Sequence, residues 1–243
     1  MKKLLVILYQ PYKWLFFYPF LCINTIIFGI FAILISLSFG QKAGSYVGGV
    51  LWSRLNGFLT PMFVTKAGTE NINKKQSYVI VANHISAYDI FLVYGWLGID
   101  FKWVMKKELK KIPGIGFGSE AVGHIFIDRS SSKAAIETIE NAKKRIKNGT
   151  SVLFFAEGTR SQSGELGRFK KGAFSFAFDL NLPILPVTII GTNEIMPSGS
   201  LSLLPGRAKL IIHPPIDVNQ YSREEMGQLM ESTREAIASG LGK

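Results

Sequence analysis

The segment Asn83-His84-Ile85-Ser86-Ala87-Tyr88-Asp89 sets a histidine and a carboxylate five positions apart, directly after a short apolar run that reads as a strand. A neutral imidazole whose far nitrogen is held by a carboxylate can take a proton from a hydroxyl near neutral pH. The same spacing also suits a turn histidine with Asp89 at a helix N-terminus, so the pair alone decides little. A second segment, Phe155-Ala156-Glu157-Gly158-Thr159-Arg160-Ser161, gives the pair something to act on. Gly158 permits close backbone approach, Arg160 offers a planar fork of donors suited to phosphate, and Thr159 and Ser161 add hydroxyls. Lys106 and Lys107, at a third strand end, are placed to reach the same anion. The run Gly114-x-Gly116-x-Gly118 lacks the strand-to-helix setting of a dinucleotide fingerprint and instead suits the wall of a tunnel.

Other residues with chemical potential read as structural. His124 and His213 fall in or near predicted strands, and Pro186 lies in the apolar run Leu185-Pro186-Val187. The lone cysteine, Cys22, excludes an internal disulfide and a cysteine-based zinc site, and no acidic or histidine cluster points to another metal. No cofactor is expected.

These groups must be carried by a body in which apolar runs alternate with helical patterns. Strands are expected at 77–82, 100–105, 124–128, 151–155, 183–190 and 208–213. Helices are expected at 88–97, 132–147 and 172–180, and an exposed helix at 222–239. The alternation predicts an α/β fold with a mostly parallel central sheet flanked by helices. In such sheets ligands gather at loops leaving the carboxyl ends of strands, where both motifs fall.

The N-terminal region is of another kind. Residues 14–41 hold no charge, and a second apolar stretch, 45–64, includes Arg54 and Asn56 and reads as amphipathic. As one helix the first run is long enough to span a bilayer, and Pro19, Asn24 and Gly29 make a kinked or broken helix an equal alternative. Lysines precede the run (Lys2, Lys3, Lys13) and basic residues follow it (Lys42, Arg54, Lys66), so neither flank wins a positive-inside comparison. Two helices that enter one leaflet and return satisfy both flanks. The chain is therefore divided into membrane-associated N-terminal helices, 1–65, and an α/β domain, 66–243. Lys and Arg outnumber Asp and Glu by 28 to 17, a net charge of +11 that favours an anionic partner. Positive mean hydropathy and the absence of any nucleic-acid motif argue for a membrane or a phosphorylated substrate, and against nucleic acid.

Taken in order, Asn-His-x-Ser-x-x-Asp, Lys-Glu-Leu-x-x-x-Pro-x-x-Gly, Glu-Gly-Thr-Arg-Ser and a Pro-Val strand resemble the glycerolipid acyltransferases over residues 77–191. The resemblance implies transfer of an acyl group from acyl-CoA or acyl carrier protein to the sn-2 hydroxyl of 1-acylglycerol 3-phosphate (lysophosphatidate), giving phosphatidic acid. Other acceptors within the family are glycerol 3-phosphate and lyso-ornithine lipid. It makes His84 the general base and Asp89 its orienting group. It assigns Glu157, Gly158, Thr159 and Arg160, with Lys106 or Lys107, to the glycerol-phosphate site. It also implies a helical pair embedded in one leaflet, at the cytoplasmic face of the inner membrane. Ala156 stands where the family usually has proline. A serine esterase would need a Gly-x-Ser-x-Gly elbow, which is absent. A lipid-binding protein without enzymatic activity would leave His84 and Asp89 without a purpose.

Overall fold

A computed structural model describes residues 2–128, 140, 142–143, 146 and 149–242. Val6–Phe39 is one continuous helix of 34 residues, apolar and long enough to cross a membrane. α1 (Lys2–Pro11) begins four residues before that stretch and leads through a wide π turn (Tyr12–Phe17) into α2 (Tyr18–Phe39). Of the two alternatives, the unbroken helix is the one found. Pro19 lies in the first turn of α2, where a missing N–H does no harm, and the π turn before it absorbs the mismatch.

Gly40, at φ +87°, reverses the chain into α3 (Gln41–Ser45), a second π turn (Tyr46–Leu51) and α4 (Trp52–Leu59). The return packs tightly against α2 because the contacts are small residues. A Cβ on Gly44 would lie 1.9 Å from Ser36 Oγ, and one on Gly48 2.4 Å from Ala32 Cβ. Further along, Trp52 Nε1 donates to Thr25 Oγ1 at 3.1 Å, and Asn24 and Asn56 exchange two amide hydrogen bonds of 3.0 and 3.1 Å. These pairings run antiparallel, so a helical pair is present as expected. The outward stripe Ile23, Ile26, Ile27, Ile30, Phe31 and Leu34 covers no protein.

The body is a seven-stranded sheet among the described residues, ordered β1-β7-β6-β2-β5-β3-β4. The strands are β1 (Met62–Ala67), β2 (Val79–Ala82), β3 (Phe101–Lys106), β4 (Ile125–Ile127), β5 (Ser151–Phe155), β6 (Ile184–Ile190) and β7 (Gly206–Ile212). Only β6 and β7 pair antiparallel. The central strands are apolar on both faces because both faces are covered. Ile80, Leu153 and Leu185 lie against α5 (Asp89–Trp96) and the helical pair. Val79, Val152 and Ile184 lie against α7 (Gly172–Leu180) and α9 (Met226–Gly240). Two short helices, α6 (Ile115–Ala121) and α8 (Thr192–Ile195), sit at the sheet's carboxyl end.

Two expectations need correction. The stretch 45–64 is not one amphipathic helix: its end forms β1, which pairs with β7, and the division expected between 65 and 66 falls inside that strand. The C-terminal helix is not fully exposed either. Leu229, Thr233 and Ile237, four residues apart, are buried against the sheet. The expected helix 132–147 lies mostly outside the described residues, though Ala142 and Ile146 are buried.

Candidate active site

β2 and β5 end side by side, with Ala82 in register with Phe155, while β6, where Val187 pairs with Ala82, runs on to Ile190. The loops that follow therefore meet. Asn83 continues the pairing with its side chain, accepting from Ile189 N–H at 2.8 Å and donating to Ile189 C=O at 3.0 Å. That amide zip fixes where His84 leaves the sheet. The His84 ring stacks on Phe155 with centroids 3.8 Å apart and planes 6° from parallel.

Asp89 is fully buried at the start of α5. Its Oδ2 accepts from His84 Nδ1 at 2.7 Å, Ile85 N–H at 2.7 Å and Ser86 N–H at 2.9 Å. Its Oδ1 accepts from Thr192 Oγ1 at 2.5 Å. With a donor on every side the carboxyl group can only accept, which puts the ring proton on Nδ1 and leaves the Nε2 lone pair of His84 for a substrate.

The second loop locks against the first. Glu157, buried, turns its carboxylate to backbone: Oε1 accepts from His84 N–H and Oε2 from Gly167 N–H, both at 2.9 Å. Ser161 N–H donates to His84 C=O at 2.7 Å. Gly158, at φ +77°, makes the turn between them, and a Cβ there would lie 2.7 Å from Lys170 Nζ. Thr159 and Arg160 are left exposed beside His84. Glu157 is therefore a brace between the loops and not a group presented to ligand. Glu157→Ala strands two N–H groups, each costing about 1–3 kcal/mol if left unpaired. A thermal melt should show a Tm lower by several degrees, with turnover reduced because His84 is displaced.

An elongated cavity of about 610 Å³ opens at His84, Gly158, Thr159, Arg160 and Lys106. It runs between the sheet and the helical pair, past Gly29 and Gly118, to Tyr94 and His124. Gly29 and Gly118 are glycine because the helices touch there: a Cβ on Gly118 would lie 2.9 Å from Gly29 Cα. Of the two candidate lysines, Lys106 lines the mouth while Lys107 is paired with Asp128 at 3.2 Å. Arg160 has no ion-pair partner among the described residues.

Residues 63–190 match the family model Acyltransferase. The chain belongs to the acyltransferase family. It is 31% identical over 184 residues to a 1-acyl-sn-glycerol-3-phosphate acyltransferase of Borreliella burgdorferi, covering 76% of this chain and 74% of that protein. The chloroplastic enzyme of that name, LPAT1, from Arabidopsis thaliana is 36% identical over 169 residues, 68% of this chain and 47% of the relative. Among solved structures, the 1-acyl-sn-glycerophosphate (LPA) acyltransferase PlsC of Thermotoga maritima superposes with a TM-score of 0.82 at 29% identity. That match spans 100% of this chain and 97% of that one. The chain spans about half the length of its Brassica napus, Chlamydomonas reinhardtii and Arabidopsis thaliana relatives.

Several groups of this acyltransferase are tied up in structure. Ser86 Oγ donates to Met196 C=O at 2.6 Å and accepts from Tyr88 N–H at 3.0 Å, so it is not a free nucleophile. His124 accepts from Trp103 N–H at 3.3 Å and bonds Tyr94 OH at 3.0 Å. Burial, and then the Lys102 ammonium, holds it well below the usual histidine range, so it stays neutral. His213 bonds Thr188 Oγ1 at 2.8 Å. No cluster of metal-ligating side chains occurs among the described residues. Thr192 is the site residue that sequence reasoning missed. Its only signal is its place, one residue past the glycine that ends the Pro-Val strand.

Proposed function

We propose that this acyltransferase moves a fatty acyl group from acyl-CoA or acyl carrier protein to the sn-2 hydroxyl of 1-acylglycerol 3-phosphate, yielding phosphatidic acid. The observation that carries the reading is the His84–Asp89 pair on an apolar cavity, beside Arg160 and Lys106, neither of which has an ion-pair partner among the described residues. His84 Nε2 takes the proton from the acceptor hydroxyl as its oxygen attacks the thioester carbonyl. Asp89 stabilises the imidazolium that forms. Collapse of the tetrahedral intermediate breaks the carbon–sulfur bond, and the imidazolium returns its proton to the departing thiolate. No acyl-enzyme is needed. General-base help of this kind is worth about 10²–10⁴-fold, and positioning supplies much of the rest. Arg160, Lys106 and the Thr159 hydroxyl hold the phosphate monoester, and the cavity takes an acyl chain.

The helical pair keeps this mouth at the bilayer. Its bare apolar stripe sits in one leaflet of the inner membrane from the cytoplasmic face, while the sheet domain does the chemistry and β1 joins the two. The net charge of +11 draws the protein to anionic lipid.

Purified protein given labelled acyl-CoA should esterify lysophosphatidate in preference to glycerol 3-phosphate, lyso-ornithine lipid or a monoacylglycerol. Release of free fatty acid alone would overturn the reading in favour of an esterase. Arg160→Ala should raise KM for lysophosphatidate about 10- to 100-fold, the equivalent of a charge-assisted hydrogen bond, with kcat little changed. Equal KM values for phosphorylated and phosphate-free acceptors in the unmodified protein would remove the role given to Arg160.

A further inference from the structure

Asp89 has four hydrogen-bond donors, and they are unequally divided. Three converge on Oδ2, and the fourth, Thr192 Oγ1, is alone on Oδ1. Both residues are fully buried, so no solvent replaces that hydroxyl. The bond ties the carboxylate plane to the segment that follows β6, whereas His84 lies in the loop that follows β2.

Thr192 is itself delivered rigidly. It opens α8 immediately after Gly191, which turns the chain at φ +84°. On one side Asn83 grips both backbone groups of Ile189 at 2.8 and 3.0 Å. On the other, Ser86 Oγ holds Met196 C=O at 2.6 Å. The segment between Ile189 and Met196 is thus clamped at both ends by the very loop that bears His84. The hydroxyl is also the right kind of donor. A cation there would cancel the negative charge that the imidazolium needs, whereas a neutral O–H satisfies Oδ1 and leaves the charge in place.

We infer that Thr192 is a positioning residue for acyl transfer, acting through Asp89 to hold the His84 imidazole in its reactive plane and tautomer. The inference rests on the acyl-transfer reading above. It differs from a buried threonine that merely satisfies a neighbour in that its effect must pass through Asp89.

The test compares Thr192→Val, which keeps the shape and removes the hydroxyl, with Thr192→Ser, which keeps the hydroxyl. Thr192→Val should lower kcat about 10- to 50-fold at an unchanged KM for lysophosphatidate, while Thr192→Ser stays within about threefold of the unmodified protein. In an Asp89→Ala background, where there is no carboxylate to orient, adding Thr192→Val should change the rate by less than about twofold. A serine variant as impaired as the valine one, a rise in KM in place of a fall in kcat, or losses that multiply in the double variant would each overturn the inference. Should the valine variant not fold, Thr192→Ala carries the same comparison. If Asp89→Ala loses turnover but Thr192→Val does not, this inference alone fails. If the unmodified protein does not acylate lysophosphatidate, the underlying reading fails and takes the inference with it.

Discussion

His84→Ala is expected to lower kcat for lysophosphatidate acylation by about 10³-fold or more, while lysophosphatidate binds with nearly unchanged affinity. The kinetic loss follows from removing the one histidine poised as a base: His124 is buried with both ring nitrogens engaged by Tyr94 and Trp103, and His213 is bonded to Thr188. General-base catalysis accounts for about 10²–10⁴-fold, and the upper part of that range applies where no other base can stand in. Binding should survive because the groups given to the phosphate lie elsewhere, Arg160 and Thr159 on the loop after β5 and Lys106 at the end of β3. The local framework should survive as well. His84 N–H and C=O, which Glu157 and Ser161 hold, are backbone groups and remain in the variant. Single-turnover rates beside equilibrium binding of labelled lysophosphatidate would separate the two effects. A variant keeping a tenth of the unmodified rate would show that the proton goes elsewhere. Ser86 is poorly placed for covalent catalysis, with its hydroxyl engaged on both sides, so denatured protein from a turnover mixture should carry no acyl label.

Much of this site was legible because its parts are local in sequence. The dyad's two residues are five positions apart, and the register between Ala82 and Phe155 follows once two parallel strands are placed next to each other. The strand at 151–155 and the helix at 172–180 appear where their patterns put them, since a central strand is apolar throughout and a surface helix has one apolar side. What could not be read depends on distant pairings. Thr192 is 103 positions from Asp89, and nothing in its local composition marks it. Glu157 reads as part of the loop proposed for phosphate because it adjoins Gly158, Thr159 and Arg160, yet its carboxylate is consumed by two backbone N–H groups. Lys106 and Lys107 are indistinguishable in sequence and are separated only by Asp128, which binds one of them. β1 was hidden because an edge strand with Phe63, Thr65 and Lys66 exposed has the same alternation as the end of an amphipathic helix. Gly29 reads as a helix breaker in a linear chain and is a point of close approach to Gly118 in the folded one.

The second large effect is expected at Asp89, and its size should depend on what replaces the carboxylate. Asp89→Ala removes the acceptor for His84 Nδ1–H, Ile85 N–H, Ser86 N–H and the Thr192 hydroxyl together. Turnover should fall about 10³- to 10⁴-fold, as when an orienting carboxylate is lost from a catalytic triad. Asp89→Asn should be milder, for a reason specific to this geometry. In a triad, asparagine is damaging because its NH₂ can turn toward the imidazole and force the wrong tautomer. Here the two backbone N–H groups of Ile85 and Ser86 converge on the Oδ2 position and reject an amide nitrogen there. The asparagine oxygen must take that position, His84 keeps its Nδ1 proton, and the NH₂ faces Thr192 Oγ1, which can accept. Tautomer and orientation survive, and only the charge that stabilises the imidazolium is lost. Asp89→Asn should therefore retain at least about tenfold more kcat than Asp89→Ala, with KM for lysophosphatidate alike in both. Equal rates for the two variants would mean that charge alone, and not the donor array around Asp89, sets the behaviour of His84.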